Sequence, residues 1–157
     1  MKKIIVFLML IILSLMAVGC SQGPADNIGA YTTVIDRLYG EDSGLNGEIK
    51  HIAIDTSLLK NLTDEQKSIL LKEIEKYGYP VLDMTFEELQ DNGYIEDLYF
   101  KEGMLFRLED EPINGNSITM DASKWRSGKG AIGYDGLKVE YKNGEWKITR
   151  PGSFWIS

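Results

Sequence analysis

The residue types able to do chemistry in this 157-residue chain are few. There is one histidine, His51, and one cysteine, Cys20. Zinc sites draw on clusters of Cys and His, and one of each assembles none. No GxSxG, HExxH, SxxK or P-loop pattern occurs. A Ser-His-Asp triad would have to use His51, which stands in a strand-like stretch where a histidine is more often a surface or satisfied polar residue. Carboxylates are abundant, and two of them across a cleft suffice for glycoside hydrolysis. Glu87 and Glu88, however, read as first-turn residues of a helix, and Glu109, Asp110 and Glu111 as a solvated turn. Residues 41–48 (EDSGLNGE) lack the ligand spacing of an EF-hand loop. The expectation is no catalytic residue, no metal and no cofactor.

One stretch departs from this. Residues 87–116 carry nine acids against two bases, whereas residues 117–157 carry four acids against seven bases. Three of those bases crowd the glycine-containing segment SKWRSGKG around Trp125. An arginine beside an aromatic suits carboxylate, phosphate or sugar contacts, and glycines let backbone amides approach a ligand. Lys124, Trp125, Arg126 and Lys129 are therefore the expected binding residues, with an anionic polymer or an envelope protein as partner. The competing reading is a glycine-rich hairpin tip whose bases balance the acidic half of the same domain.

The elements that must position these residues can be read in order. Ile28, Tyr31, Ile35 and Leu38 form one apolar stripe, predicting a helix from Ile28 to Tyr39, capped by Asn27 and stopped by Gly40. Ile49 to Asp55 alternates as a strand. Thr63 with Gln66, and Thr85 with Glu88, are capping boxes that open two further helices. The first runs to about Tyr77 and the second to Gln90 or Asp91. Pro80 makes the short extended piece Tyr79–Asp83 a sheet edge or the start of a strand. Leu98–Phe100 and Met104–Leu108 read as a hairpin about Glu102-Gly103.

Residues 117–157 read as consecutive antiparallel strands. Asn143-Gly144 is the preferred pair for a type I′ turn. It sets Lys142 against Glu145, Tyr141 against Trp146, Glu140 against Lys147 and Val139 against Ile148. One face of that hairpin is apolar and the other carries two opposite-charge pairs. Of Phe154 and Trp155, which alternate in direction, one faces away from the core. Helices followed by strands define an α+β domain with its helices on one face of a mainly antiparallel, curved sheet. In element order alone this loosely resembles the NTF2-like and cystatin-like folds, which implies nothing about function.

The N-terminus bears on location. Met1-Lys2-Lys3 is basic, residues 4–18 are an apolar or small run, and Gly19-Cys20 follows. That run is shorter than the ~20 residues of a membrane-spanning helix and reads as a secretory signal. The segment resembles the lipobox of bacterial lipoproteins, with Ala17 where leucine is usual. The alternative is an ordinary cleaved signal. The resemblance implies that residues 1–19 are removed and that Cys20 becomes a lipid-modified first residue, acylated with palmitate among other chains. Residues 20–27 would then be a tether and residues 28–157 one domain at the cell membrane, outside the cytoplasm. Without Lys2 and Lys3 the chain holds 15 bases against 24 acids, a poor match to nucleic acid. A lipid-anchored, non-enzymatic binding domain of the bacterial envelope is expected, with an envelope hydrolase using carboxylates as the alternative.

Overall fold

The computed structural model describes residues 26–157. The lipobox-like segment and Cys20 lie outside the described residues. The chain forms α1 (Ile28–Gly40), a 3-10 turn (Ser43–Asn46), β1 (His51–Asp55), α2 (Asp64–Ile74), β2 (Val81–Asp83), α3 (Phe86–Asp91), β3 (Gly103–Asp110), β4 (Ser117–Ser127), β5 (Gly130–Lys142), β6 (Glu145–Arg150) and β7 (Ser153–Ile156). The fold is α+β: among the described residues three helices pack against one open, mixed sheet of seven strands. Its order is β2-β1-β3-β4-β5-β6, with β7 also paired to β5.

The β5–β6 hairpin follows the expected register, whereas β7 does not continue the meander past β6 but pairs with the other stretch of the long β5. Lys142 faces Glu145, Tyr141 faces Trp146, Glu140 faces Lys147 and Val139 faces Ile148. Asn143 (φ 55°) and Gly144 (φ 88°) take the positive φ that the turn requires. The charges pair differently from the register, along each strand: Glu140 with Lys138 and Lys142, and Glu145 with Lys147. Residues two apart on one strand share a face, so flexible lysines reach a carboxylate on their own strand.

Both predicted capping boxes are complete, at Thr63–Gln66 and Thr85–Glu88. The helix opened by Thr63 ends as a 3-10 turn through Tyr77, and Gly78 (φ 86°) stops it. Asn27 does not cap α1. Its amide instead donates to the Asn61 carbonyl, while Asp26 Oδ1 accepts from Ile28 N–H.

The segment around Leu98–Phe100 differs from the expected hairpin. Glu96 and Tyr99 exchange N–H···O bonds across Asp97-Leu98, both at positive φ. Phe100 N–H then donates to Arg126 O, and Tyr99 bridges Ser127. The pairing of β3 with β4 stops at Leu105–Trp125, and the segment bonds to the end of β4 instead. β3 lies between β1, in parallel, and β4, in antiparallel register.

β1 is covered on both faces, which explains why it is buried along Ile52–Asp55, whereas β3 is so covered only at its start, Gly103–Phe106. On one face α1 and α2 pack on a core containing Tyr31, Ile35, Ile52, Phe106, Ile118 and Val139. On the other, the short α3 and the loop after it cover a smaller core of Ala53, Leu89, Ile95, Phe100 and Leu105, with Trp125 and Phe86 at its rim. α3 covers only the β1 side of that second face. Among the described residues no helix lies over the half made by β4, β5, β7 and the end of β3. This half is bent: β5 places Asp135 and Gly136 opposite Asp121, a bulge in which Gly136 has φ 66° and its N–H donates to Asp121 Oδ1.

Candidate functional site

Strand alternation decides the fate of the expected basic loop. Lys124 pairs with Phe106 and lies on the helix-side face with Ile118, Met120 and Ala122. Its side chain is fully buried. Its ammonium donates to Glu41 O, to Asp42 O at 3.1 Å and to Asn46 Oδ1 at 3.0 Å. These acceptors lie just beyond the C-terminus of α1, the negative end of a helix dipole. Burial pushes the Lys124 ammonium down to about 8, against the opposing pull of the nearby Asp42 and Glu41 carboxylates. Arg126, also on this face, donates to Leu45 O at 3.1 Å, Gly47 O at 2.5 Å and Lys101 O at 3.1 Å. Trp125 points the other way and packs edge-on against Phe86. Lys129 alone stands exposed at the β4–β5 turn. The four residues do not form one surface: Lys124 and Arg126 hold the 3-10 loop against the sheet.

The acidic run 109–111 is not a solvated turn either. Asp110 is buried at 1% exposure. Its carboxylate accepts from the Tyr31 hydroxyl, the Asn61 amide side chain, and the backbone N–H groups of Lys60 (2.7 Å) and Asn61 (3.2 Å). Burial, and then the Asp110 carboxylate, push the Tyr31 phenol up. Asp110 thus joins α1, the β1–α2 loop and β3, while Glu109 and Glu111 on either side are exposed. Glu88 accepts the backbone N–H of Thr85 in its capping box. Asp55 accepts from Ser57, and Asp83 from Thr56. His51 is half-buried, packed edge-on to Tyr94.

The uncovered half of the sheet gathers a different set. The ladders align Asp55 with Arg107, Arg107 with Ser123, Ser123 with Gly133, and Gly133 with Trp155. One row of side chains therefore crosses β1, β3, β4, β5 and β7 on a single face. The indole of Trp155 lies across Gly133, where a Cβ would come within 2.3 Å of the ring, and its N–H donates to Asp135 Oδ1 at 3.0 Å. Glycine at 133 is what lets the ring lie flat on the sheet. The neighbouring row holds Glu109 paired with Asp121, with the Asp135-Gly136 bulge beyond. Between these rows lies a depression of about 210 Å³ lined by Arg107, Glu109, Asp121, Ser123, Asp135 and Trp155. A second of about 200 Å³, sharing Glu109 and Asp121, continues it towards Lys60 and Thr119. The result is an open polar trough with a half-buried indole at one end and a guanidinium along its floor.

Sequence reasoning missed this trough. The i, i+2 alternation of Ile118, Met120, Ala122 and Lys124 already turned Lys124 inward and Asp121, Ser123 and Trp125 outward. The row itself needed the pairing of β3 with β4 and of β7 with β5, which no local pattern encodes. No family model, curated protein or solved structure matches this chain.

Proposed function

We propose that this chain is a lipid-anchored domain of the bacterial cell envelope, outside the cytoplasm, that acts by contact through the uncovered half of its sheet. The observation that carries the contact surface is the cross-strand row Arg107–Ser123–Gly133–Trp155, on the half of the sheet that no described helix covers, with Arg107 exposed and the Trp155 ring laid over Gly133. The anchor rests on the basic start, the short apolar run and Gly19-Cys20. The carboxylates best placed for acid–base work have structural duties: Asp110 is a buried hydrogen-bond hub and Asp121 accepts a bulge N–H. The basis for an anionic polymer as partner is lost, because Lys124 and Arg126 serve main-chain carbonyls.

Two measurements test this reading. Cys20→Ser should release the protein from the membrane fraction or leave an unprocessed precursor, and normal processing and retention would overturn the anchor. A photocrosslinking residue at Ser123 or Thr119 should trap a partner in intact cells, whereas one at the exposed Ile69 of α2 should not. Equal yields from both faces would overturn the surface assignment. Turnover of an envelope polymer by the purified protein, abolished by Glu109→Gln, would replace contact with hydrolysis.

A further inference from the structure

We propose that the trough on the open sheet face binds a saccharide chain, neutral or amino-substituted, with one sugar ring stacked on Trp155. This rests on the contact reading above and names the ligand class for that surface.

A pyranose presents two C–H faces ringed by hydroxyls. It is held best by a flat aromatic surrounded by groups that both accept and donate hydrogen bonds. The trough supplies these in order. Trp155 is fixed before any ligand arrives, by Gly133 beneath it and by its N–H to Asp135, so little ordering cost remains for binding. Carboxylates only accept, a guanidinium only donates in a planar fork, and a serine hydroxyl does both. Glu109, Asp121 and Asp135 are exposed acceptors, Arg107 is the exposed donor, and Ser123 lies between them in the same depression. Asp121 and Asp135 each place Oδ1 on a protein N–H, and both carboxylates line the depression. Two joined depressions of about 210 and 200 Å³ suit successive units of a chain.

Charge selects among sugars. Four exposed carboxylates, Glu109, Glu111, Asp121 and Asp135, against Arg107 and Lys60 repel uronic or phosphorylated units and admit neutral or amino sugars. Arg107, in the middle of the row, disfavours a lysine-rich peptide, the other partner an acidic trough with a tryptophan could take.

The test uses the full chain, ¹⁵N-labelled and purified in a non-glycosidic detergent. It is titrated with cellotetraose, maltotetraose, tetra-N-acetylchitotetraose and tetraglucosamine, and separately with tetragalacturonate and tetralysine. The indole N–H resonance of Trp155 is followed beside those of Trp125 and Trp146. At least one neutral or amino tetrasaccharide should shift the Trp155 resonance saturably and leave that of Trp146 unmoved. Trp155→Leu should weaken binding by about tenfold or more, the scale of a lost aromatic anchor. Arg107→Gln and Glu109→Gln, exposed and fold-neutral by melting temperature, should each weaken it severalfold. The inference is overturned if none of the four shifts Trp155 at about 10 mM, beyond the millimolar range of weak binding. It is also overturned if Arg107→Gln and Glu109→Gln leave binding unchanged, or if tetralysine or tetragalacturonate binds the trough instead. Crosslinking from Ser123 separates the two levels. If it persists without sugar binding, only the ligand class fails; if it too is absent, the contact reading fails with it.

Discussion

Replacing Lys124 with methionine tests the loop anchor through its dependence on pH. Methionine fills nearly the same volume, so the change removes the ammonium and its three hydrogen bonds with little cavity. It strands Glu41 O, Asp42 O and Asn46 Oδ1. Hydrogen bonds to a charged group contribute about 1.5–3 kcal/mol each, and the variant is relieved of burying a charge. The net cost near pH 7.5 should be about 2–4 kcal/mol. The pH dependence fixes the sign independently. The ammonium titrates at about 8 when folded and at its ordinary 10.5 when unfolded. Below pH 8 both states hold the proton, and the cost of burying the charge is fully present. Between pH 8 and 10.5 the unfolded chain binds more protons, so stability rises with pH by up to ~1.4 kcal/mol per unit. The parent should therefore gain about 2 kcal/mol over Lys124→Met between pH 7.5 and 9.5. Urea unfolding of both proteins at the two pH values measures the gap, and tyrosine titration cancels in the difference. Lys129→Met, at the exposed turn, should show no such trend. A gap that stays flat or narrows would mean that the three acceptors hold the ammonium charged, and would refute the burial argument.

Three further outcomes follow from the packing. Gly144→Val forces a β-branched residue to φ 88° and should cost about 2 kcal/mol or more, seen as a fall in melting temperature; an unchanged value would remove the type I′ turn from the account. Asp110→Ala leaves the Lys60 and Asn61 amides and the Tyr31 hydroxyl unpaired and should cost about 3–5 kcal/mol, with Asp110→Asn milder; calorimetry at neutral pH distinguishes this hub from a surface turn. Lys138 and Lys142 hold Glu140 down to about 2, so its contribution is present above the ordinary 4.5 and is lost as pH falls from there towards 2; the stability gap between parent and Glu140→Gln should close over that window, and a gap unchanged between pH 5 and pH 3 would show the two lysines to be idle.

What was legible in the sequence was what short range encodes. The Asn143-Gly144 turn fixed its own register because turn geometry and alternation agree over ten residues, and Thr63–Gln66 and Thr85–Glu88 opened helices because a capping box is complete within four. The α+β class followed from the same elements. The illegible part was long-range pairing. Met104–Leu108 alternates well enough for a hairpin, yet β3 draws its partners from β1, some fifty residues earlier, and from β4 across an irregular connection. Asp110 looked solvated because Glu109 and Glu111 flank it and Pro112 follows. Its inward direction is set by Met104, Phe106 and Leu108, on the same face at every second residue.

The same alternation accounts for both the basic loop and the trough. β4 carries Lys124 and Arg126 to the helix side, where the carbonyls beyond α1 require donors, and turns Asp121 and Ser123 to the open side. A one-residue slip of β4 would exchange the two sets. It would bury Asp121, Ser123 and Trp125 against α1 and expose Ile118, Met120 and Ala122. The buried lysine, by binding the turn after α1, therefore opposes that slip and keeps Asp121 and Ser123 on the face that also holds Trp155. The basic residues of the 124–129 segment are thus tied to the proposed contact surface through the register they help to fix on the opposite face of the strand.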